Sequence, residues 1–398
     1  MRILYLNHNV ARKGGTFYRA YHTARYLVRR GHEVTLLTIS ADRRTGFEYE
    51  CSEGVTIIHT PDLLTGVGRT GWDLWDTACR VGLLHGRTWD IIHAWDCRPA
   101  VILPALYARA QSRSVGGKLV IDWCDWWGRG GTQAERPGRL TKLLYGPVET
   151  FFEEAFRSQA DATTVASRAL HKRALGLGVR PDPLLIMPGG SDTETIKPLD
   201  RGAARTELGV PQDAYIVGYM GALPLKEVDL LVETLAIARR QIPQLRFMAI
   251  GVSVAGSTLP LRDVMGSRLG DWMIETGRVP FAKVSEYLAA CDVLALPMRN
   301  NISNVARWPS KLNDYLASGR PIVATSVGEI EAFAGHGFGI FTRDTAQDLA
   351  AGIVQFANDA NLSEHCGALA RRLAEGQLNW HTIVSDLEAL YTQVYDRA

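Results

Sequence analysis

The sequence predicts an α/β protein built from two doubly wound, Rossmann-like domains in tandem. Three observations lead there. The chain has 398 residues, more than a single domain of ~100–200 residues accounts for. Short apolar runs alternate with helical stretches from the first residues onward. That alternation breaks at Leu184-Leu185-Ile186-Met187-Pro188-Gly189-Gly190-Ser191-Asp192 and restarts beyond Lys197-Pro198, which reads as an interdomain linker.

The first strand is Ile3–Leu6. A loop ending Lys13-Gly14-Gly15-Thr16 follows, then a helix to Arg30 with Tyr21, Ala24, Leu27 and Val28 on one face and Gly31 at its C-terminal stop. Val34–Ile39 is the second strand. A strand, helix and strand in quick succession imply a right-handed crossover and a parallel sheet. Further strands fall at Val55–His59, Ile91–His93, Leu119–Asp122 and Ala162–Val165. In the second half we expect strands at Ile216–Met220, Arg246–Ile250, Gly277–Val279, Val293–Leu296 and Ile322–Ala324. Helices are expected at Val228–Arg240, Val284–Ala290 and Ser310–Ser318. The segment from Asn379-Trp380 to Tyr395 reads as an amphipathic helix with Ile383, Leu387, Leu390 and Val394 on one stripe.

Composition excludes several classes. Hydrophobic residues at 46% and charged residues at 22% rule out a disordered or collagen-like chain. The net charge of +2 argues against a nucleic-acid binder. That small number hides an asymmetry: residues 1–190 hold 25 Lys/Arg against 18 Asp/Glu, or +7, leaving 19 against 24, or −5, for the rest. A basic first half suits an anionic ligand or a membrane surface; a merely uneven solvated surface is the competing reading. Cys51, Cys79, Cys97, Cys124, Cys291 and Cys366 show neither metal-site nor disulfide spacing and read as reduced thiols. The N-terminal apolar run is too short for a signal peptide, and no stretch of ~18 apolar residues is present, so we expect a cytoplasmic protein, with contact to the inner membrane face left open.

Ligands of open α/β sheets bind outside the strand carboxyl ends, so two such domains predict a ligand cleft between them. Gly14-Gly15 allows a backbone to approach a ligand at a helix start, though a plain tight turn is an equal reading; the pattern lacks G-x-G-x-x-G, which disfavours a nicotinamide cofactor. Lys226, at the end of Tyr219-Met220-Gly221-Ala222-Leu223-Pro224-Leu225-Lys226, could neutralise a phosphate or be a solvated lysine. The most informative stretch is Trp308 to Pro321. Ser310 offers a cap hydroxyl and backbone N–H groups, Lys311 a positive charge, and Asp314, one turn on, a partner for ribose hydroxyls.

With those motifs, the chain resembles the retaining glycosyltransferases of family 4, which have the two-domain GT-B fold. The resemblance runs through Gly14-Gly15, Tyr26–Val34, Trp89-Asp90-Ile91-Ile92-His93 and Met187–Asp192. It continues through Gly221–Lys226, Gly277-Arg278-Val279, Tyr287–Val293 and Ser318–Thr325. It implies an N-terminal acceptor domain over 1–192, a nucleotide-sugar domain over 198–376, and a helix over 377–398 crossing back to the first domain. It also implies transfer of a sugar from a UDP- or GDP-sugar to a hydroxyl acceptor with retention of configuration, no cofactor and no metal. Gly14, Gly15, Lys226, Gly277, Arg278, Val279, Ser310, Lys311, Leu312 and Asp314 become the donor-binding candidates. Lys226, Lys311, Asp125 and His93 become the catalytic candidates, His93 with a core histidine as its alternative.

The chain departs from the family pattern at three places. Ala306 stands where members often carry a glutamate, Ala222 where they often carry arginine, and Cys124-Asp125 where many have His-Asp. Arg307 or Arg299 is the candidate replacement for the arginine. Seven of ten tryptophans lie between 72 and 127; Trp123, Cys124, Asp125, Trp126 and Trp127 are the acceptor-binding candidates, while Trp89 and Trp95 read as core. The acceptor is a saccharide, a lipid-linked or a small molecule. Two other functions stay open: a same-fold sugar-nucleotide epimerase or phosphorylase, and a non-catalytic nucleotide-sugar or glycan-binding relative.

Overall fold

The structure, a computed structural model, describes residues 1–64, 70–135, 138–180, 182–255, 257–265 and 269–397. The chain packs as two units: unit 1 is Met1–Gly189, Ala306–Trp308 and Trp380–Ala398, and unit 2 is Gly190–Val305 and Pro309–Asn379.

Unit 1 starts with β1 (Arg2–Val10), α1 (Gly15–Arg29), β2 (Glu33–Ile39), β3 (Glu48–Ser52), β4 (Val55–Thr60), α2 (Leu74–Leu84), β5 (Ile91–Ala94) and α3 (Pro99–Gln111). It continues with β6 (Lys118–Trp123), α4 (Thr132–Glu135), α5 (Arg139–Glu154), β7 (Ala162–Val165), α6 (Arg168–Gly176) and β8 (Leu184–Ile186). The eight strands form one sheet in the order β3-β4-β2-β1-β5-β6-β7-β8. All neighbours run parallel except β3 and β4. β1, the central strand, is buried from Ile3 to Asn7, as a parallel strand covered on both faces must be.

Unit 2 has α7 (Arg201–Leu208), β9 (Tyr215–Pro224), α8 (Leu225–Gln241), β10 (Leu245–Ala255), α9 (Leu261–Met265), β11 (Met273–Glu275), α10 (Val284–Ala290) and β12 (Val293–Leu296). α11 (Ile302–Ala306), α12 (Lys311–Ser318), β13 (Ile322–Thr325), α13 (Glu329–Phe333), β14 (Gly339–Thr342), α14 (Ala346–Asn358) and α15 (Ala360–Glu375) follow. Its six strands are parallel in the order β11-β10-β9-β12-β13-β14. The last helix, α16 (Trp380–Asp396), belongs to unit 1. There Trp380, Ile383, Val384, Leu387 and Tyr391 share one apolar cluster with Ile3, Tyr5, Ala20 and Leu27.

Local differences from the sequence reading have plain causes. The expected strand at Gly277–Val279 is a loop: the strand lies at Met273–Glu275, paired with β10, and Gly277 turns the chain at φ 63°. Leu184–Ile186, where the pattern breaks, is β8, the edge strand beside β7. β3 is an antiparallel edge whose residues stand largely in solvent, so it has no apolar run to announce it. Among the described residues, the cysteines Cys51, Cys79, Cys97, Cys124, Cys291 and Cys366 are free thiols, and no helix is long and apolar enough to cross a membrane.

Candidate functional site

In each unit the strand order reverses once, and the crevice at that reversal is where open sheets take ligands. In unit 1 the reversal separates β1 from β5. A cavity of about 250 Å³ opens there, lined by His8 and Thr16 at the β1–α1 connection, by Trp95, Asp96 and Arg98 after β5, and by Cys124, Asp125, Trp127 and Thr132 after β6. Asp96 holds a backbone φ of 154°, and its carboxylate lies 3.4 Å from His8 Nδ1 and 3.1 Å from Arg98 Nε. Carboxylates, a guanidinium and hydroxyls over indole rings form a lining able to hydrogen-bond and stack a polyhydroxylated ring.

The segment 123–128, from which Cys124, Asp125 and Trp127 reach the cavity, is fixed from beneath by Glu153 on α5. This fully buried carboxylate accepts from the amides of Trp127 (2.8 Å) and Gly128 (2.8 Å) and from Trp123 Nε1 (3.2 Å). Burial pushes its pKa up, while Arg157, the Trp127 amide and Arg173 pull against that shift. Gly128 has no room for a side chain, since a Cβ would sit 2.2 Å from the Glu153 oxygen.

Three of the five acceptor candidates, Cys124, Asp125 and Trp127, line the cavity. The other two do not. Trp123 is 1% exposed and sandwiched by Arg157, whose guanidinium carbon is 3.8 Å from the ring centre. Trp126 packs on Arg173 and donates to the Arg129 carbonyl. The Cys124 thiol donates to Asp122, and burial, with that carboxylate, raises its pKa well above the ordinary thiol range, so it is no nucleophile. Trp95, read as core, is indeed 1% exposed, stacked on His93, yet it also borders the cavity.

His93 corrects the sequence reading most clearly. It is fully buried, its Nδ1 is 2.6 Å from the Tyr391 hydroxyl, and burial drives its pKa down to about 3. It is a neutral core imidazole in a network of Tyr5, Tyr391, Thr164 and Asp122, not a proton carrier at a surface. Beneath the cavity, Asp122 accepts twice from Arg19, at 3.2 and 3.3 Å. Burial opposes ionisation of Asp122, but Arg19 outweighs it and holds the carboxyl below its usual range. Gly14 is the N-cap of α1 at φ 84°, where a Cβ would meet Asn9 at 2.7 Å. Gly14 and Gly15 adjoin Thr16 in unit 1, apart in the chain from the other donor candidates.

In unit 2 the order reverses between β9 and β12. Lys226, in the first turn of α8, donates to Asn301 Oδ1 at 3.1 Å, linking the loops that leave those two strands. Lys311 heads α12 and reaches the same turn, donating to the Tyr219 hydroxyl at 2.6 Å and the Ala222 carbonyl at 2.9 Å. Its ammonium stands 4.4 Å from the Tyr219 ring centre. Two cations therefore flank the Ala222–Lys226 turn. Ser310 does not cap α12: its backbone is helical and its side chain makes no capping bond. Leu312 is buried and serves the core. Gly277, Arg278 and Val279 lie on the loop after β11, where the Gly251 amide and the Gly277 carbonyl both bond the Thr276 hydroxyl. Ala306 and Arg307 belong to unit 1; Ala306 is buried, and its carbonyl accepts from Ser167. Arg299 reaches the Asp344 carbonyl at 3.3 Å, while burial raises the Asp125 pKa, with Arg307 close enough to oppose that shift in part. Among the described residues, no group of three or more His, Cys, Asp or Glu side chains is arranged to hold a metal ion.

Burial, reinforced by the Asp192 carboxylate, pushes the Asp314 carboxyl up to about 7. An acid whose pKa rises on folding costs stability as pH climbs from its unfolded value of ~4 through the folded one. Asp314→Asn is therefore expected to stabilise the protein by about 1–2 kcal/mol at pH 8, after allowance for solvent, and to change little at pH 4. Thermal unfolding at both pH values checks this; an equal shift at both removes the ionisation argument.

Comparisons with known proteins agree with this architecture. Residues 14–190 match the model of a glycosyl transferase 4-like domain, and residues 214–359 match that of the glycosyl transferases group 1. The chain is 26% identical to the D-inositol 3-phosphate glycosyltransferase of Kineococcus radiotolerans, over 97% of this chain and 92% of that protein. It is 32% identical to the enzyme of the same name from Geodermatophilus obscurus, over 60% of this chain and 54% of that protein. With that relative and several others of the same name, the match spans about half of their length. Sucrose-phosphate synthase from Thermosynechococcus elongatus has the same fold, with a TM-score of 0.75 at 19% identity over 100% of both chains. So does Anabaena HepE in complex with UDP-glucose, with a TM-score of 0.71 at 19% identity over 99% of this chain and 100% of that one. Two family models in the expected order, over two parallel-sheet units, show that the chain belongs to the group 1, family 4-like glycosyltransferases of GT-B fold.

Proposed function

We propose that this glycosyltransferase moves a sugar from a nucleoside-diphosphate sugar to a hydroxyl acceptor, with retention of configuration and without a metal ion. The observation behind this reading is the pair of lysines, Lys226 and Lys311, around the turn at the β9/β12 reversal. A diphosphate placed there meets two ammonium groups and the first-turn amides of α8. These supply the charge stabilisation that a departing diphosphate needs. On this reading Asp314, one turn into α12, takes the ribose hydroxyls, and the Gly277–Val279 loop takes the base. The anomeric carbon–phosphate oxygen bond breaks and a bond to the acceptor oxygen forms on the same face. The acceptor proton passes to the leaving phosphate oxygen, so His93 has no part in the transfer.

On the same reading the unit 1 cavity takes the acceptor. Its carboxylates, threonine hydroxyls and indoles suit a sugar or cyclitol ring, and the relatives named for D-inositol 3-phosphate favour a polyol. The test is a panel of UDP-, GDP-, ADP- and TDP-sugars, with inositol, inositol 3-phosphate and simple saccharides as acceptors. Released nucleotide and the anomeric configuration of the product are measured with and without EDTA. Turnover unaffected by EDTA, giving the donor's own anomeric form, is expected. An inverted product, loss of turnover with EDTA, or no nucleotide binding by any donor overturns the corresponding part of the proposal.

A further inference from the structure

The helix α5 is inside out. Leu140, Leu143, Leu144, Pro147, Val148 and Phe151 fall at the spacing of a single apolar stripe, the pattern that ordinarily turns toward a core. Here that stripe faces solvent, with Leu140 68% and Leu143 71% exposed. Tyr145 stands beside it, 62% exposed. The opposite face is polar and buried: Glu149 at 4%, Thr150 at 8% and Glu153 at 0%. Glu153 explains the orientation, because its clamp on the Trp127 and Gly128 amides commits the polar face inward. Among the described residues of unit 1 the stripe stays largely uncovered, although Phe151 at its end meets the rings of Phe152 and Phe156, and a contiguous exposed patch of this kind marks an interaction site.

Charge around the stripe selects the partner. Arg139 and Lys142 sit in its first turn, and Arg129 stands across an open groove of about 760 Å³ whose other wall includes Leu143, Pro147 and Phe151. No carboxylate of α5 is left over to offset them. Glu149 and Glu153 face inward, and Glu154 is paired with Arg173 at 2.7 Å. An apolar face rimmed by cations is the composition of a helix that lies in the headgroup region of an anionic bilayer. A second copy of this chain fits less well, since its face would bring the same three cations against these. We infer that α5 docks unit 1 onto an anionic membrane surface, its apolar stripe seated among the acyl chains and Arg129, Arg139 and Lys142 on the headgroups. The loop walling the polar cavity runs into this face at Arg129 and Gly130, so docking brings an acceptor carried by a membrane lipid alongside the cavity. The docking surface itself does not depend on the donor reading.

The experiment is co-sedimentation of the full chain with vesicles of phosphatidylglycerol and phosphatidylcholine in equal amounts, and with vesicles of phosphatidylcholine alone. Binding to the anionic vesicles only is expected. The double variant Leu143→Asp/Leu144→Asp should lower it more than about tenfold, and Arg139→Glu and Lys142→Glu about fivefold each. Arg139, Leu143 and Leu144 are exposed and Lys142 is half-buried, donating to the Ala134 carbonyl at 2.8 Å; unchanged thermal unfolding verifies that the variants fold. Equal binding by wild type and the double variant overturns the inference, as does equal binding to neutral vesicles. A concentration-dependent dimer in sedimentation velocity, abolished by Leu143→Asp/Leu144→Asp, would assign the face to a second copy instead.

Discussion

Glu153→Ala is expected to destabilise unit 1 by about 3–5 kcal/mol, the cost of removing one partner from a buried charged cluster. Two donors, the amides of Trp127 and Gly128, lose their acceptor at once, and the Trp123 indole N–H is left with the Asp125 carbonyl alone. Arg157 and Arg173 lose the carboxylate that faces them. In thermal unfolding this corresponds to a drop on the order of 10 °C for a unit of this size. Where enough folded protein survives at low temperature, the acceptor KM should rise while nucleotide affinity stays put, because the Glu153 clamp and the lysine pair belong to different units. Glu153→Gln keeps one acceptor oxygen and should fall between wild type and alanine. A wild-type Tm for Glu153→Ala would show that the loop is held by something else.

Lys311→Ala is expected to weaken nucleoside-diphosphate binding by about 1.5–3 kcal/mol, the range for a hydrogen bond to a charged group, or roughly 10–150-fold. Titration calorimetry with the best nucleotide of the panel measures it. The fold should tolerate the change, because the ammonium's structural partners are the Tyr219 hydroxyl and the Ala222 carbonyl, and the Ala222 carbonyl keeps the Tyr219 hydroxyl as a donor. Lys311→Arg keeps the charge on a planar fork, a different geometry for phosphate, and should recover only part of the loss. Unchanged affinity in Lys311→Ala would take this residue out of the donor site.

The parallel sheets were legible because buried parallel strands are written as unbroken apolar runs, such as Ile3–Leu6 and Val293–Leu296. Strands with an open face were not: Glu48–Ser52 alternates polar groups at a sheet edge, and Leu184–Ile186 is three residues long. Lys226, Lys311 and Asp314 could be singled out because turn and helix-start chemistry is local. What a strand-end side chain faces is not local. His93 and Trp123 close neighbouring strands just as Trp95, Asp96, Cys124 and Asp125 follow them, and only the packed structure separates buried rings from cavity walls. His8, Thr16, Asp96, Arg98 and Thr132 had no motif to mark them; polar residues just beyond buried strand ends were the available signal. Nor does periodicity record which way an amphipathic helix looks, and α5 shows how far that matters.

The return of α16 sets an order on biosynthesis. The strands of unit 1 are made before unit 2, yet a share of its apolar cluster arrives with Trp380, Ile383, Leu387 and Tyr391, after all of unit 2. On a ribosome, unit 2 can therefore collect its whole sequence and fold while unit 1 still waits with the face of α1 uncovered. Translation that stops short of α16 would leave a sound second unit tethered to a sticky first one, a product for chaperones and proteases to find.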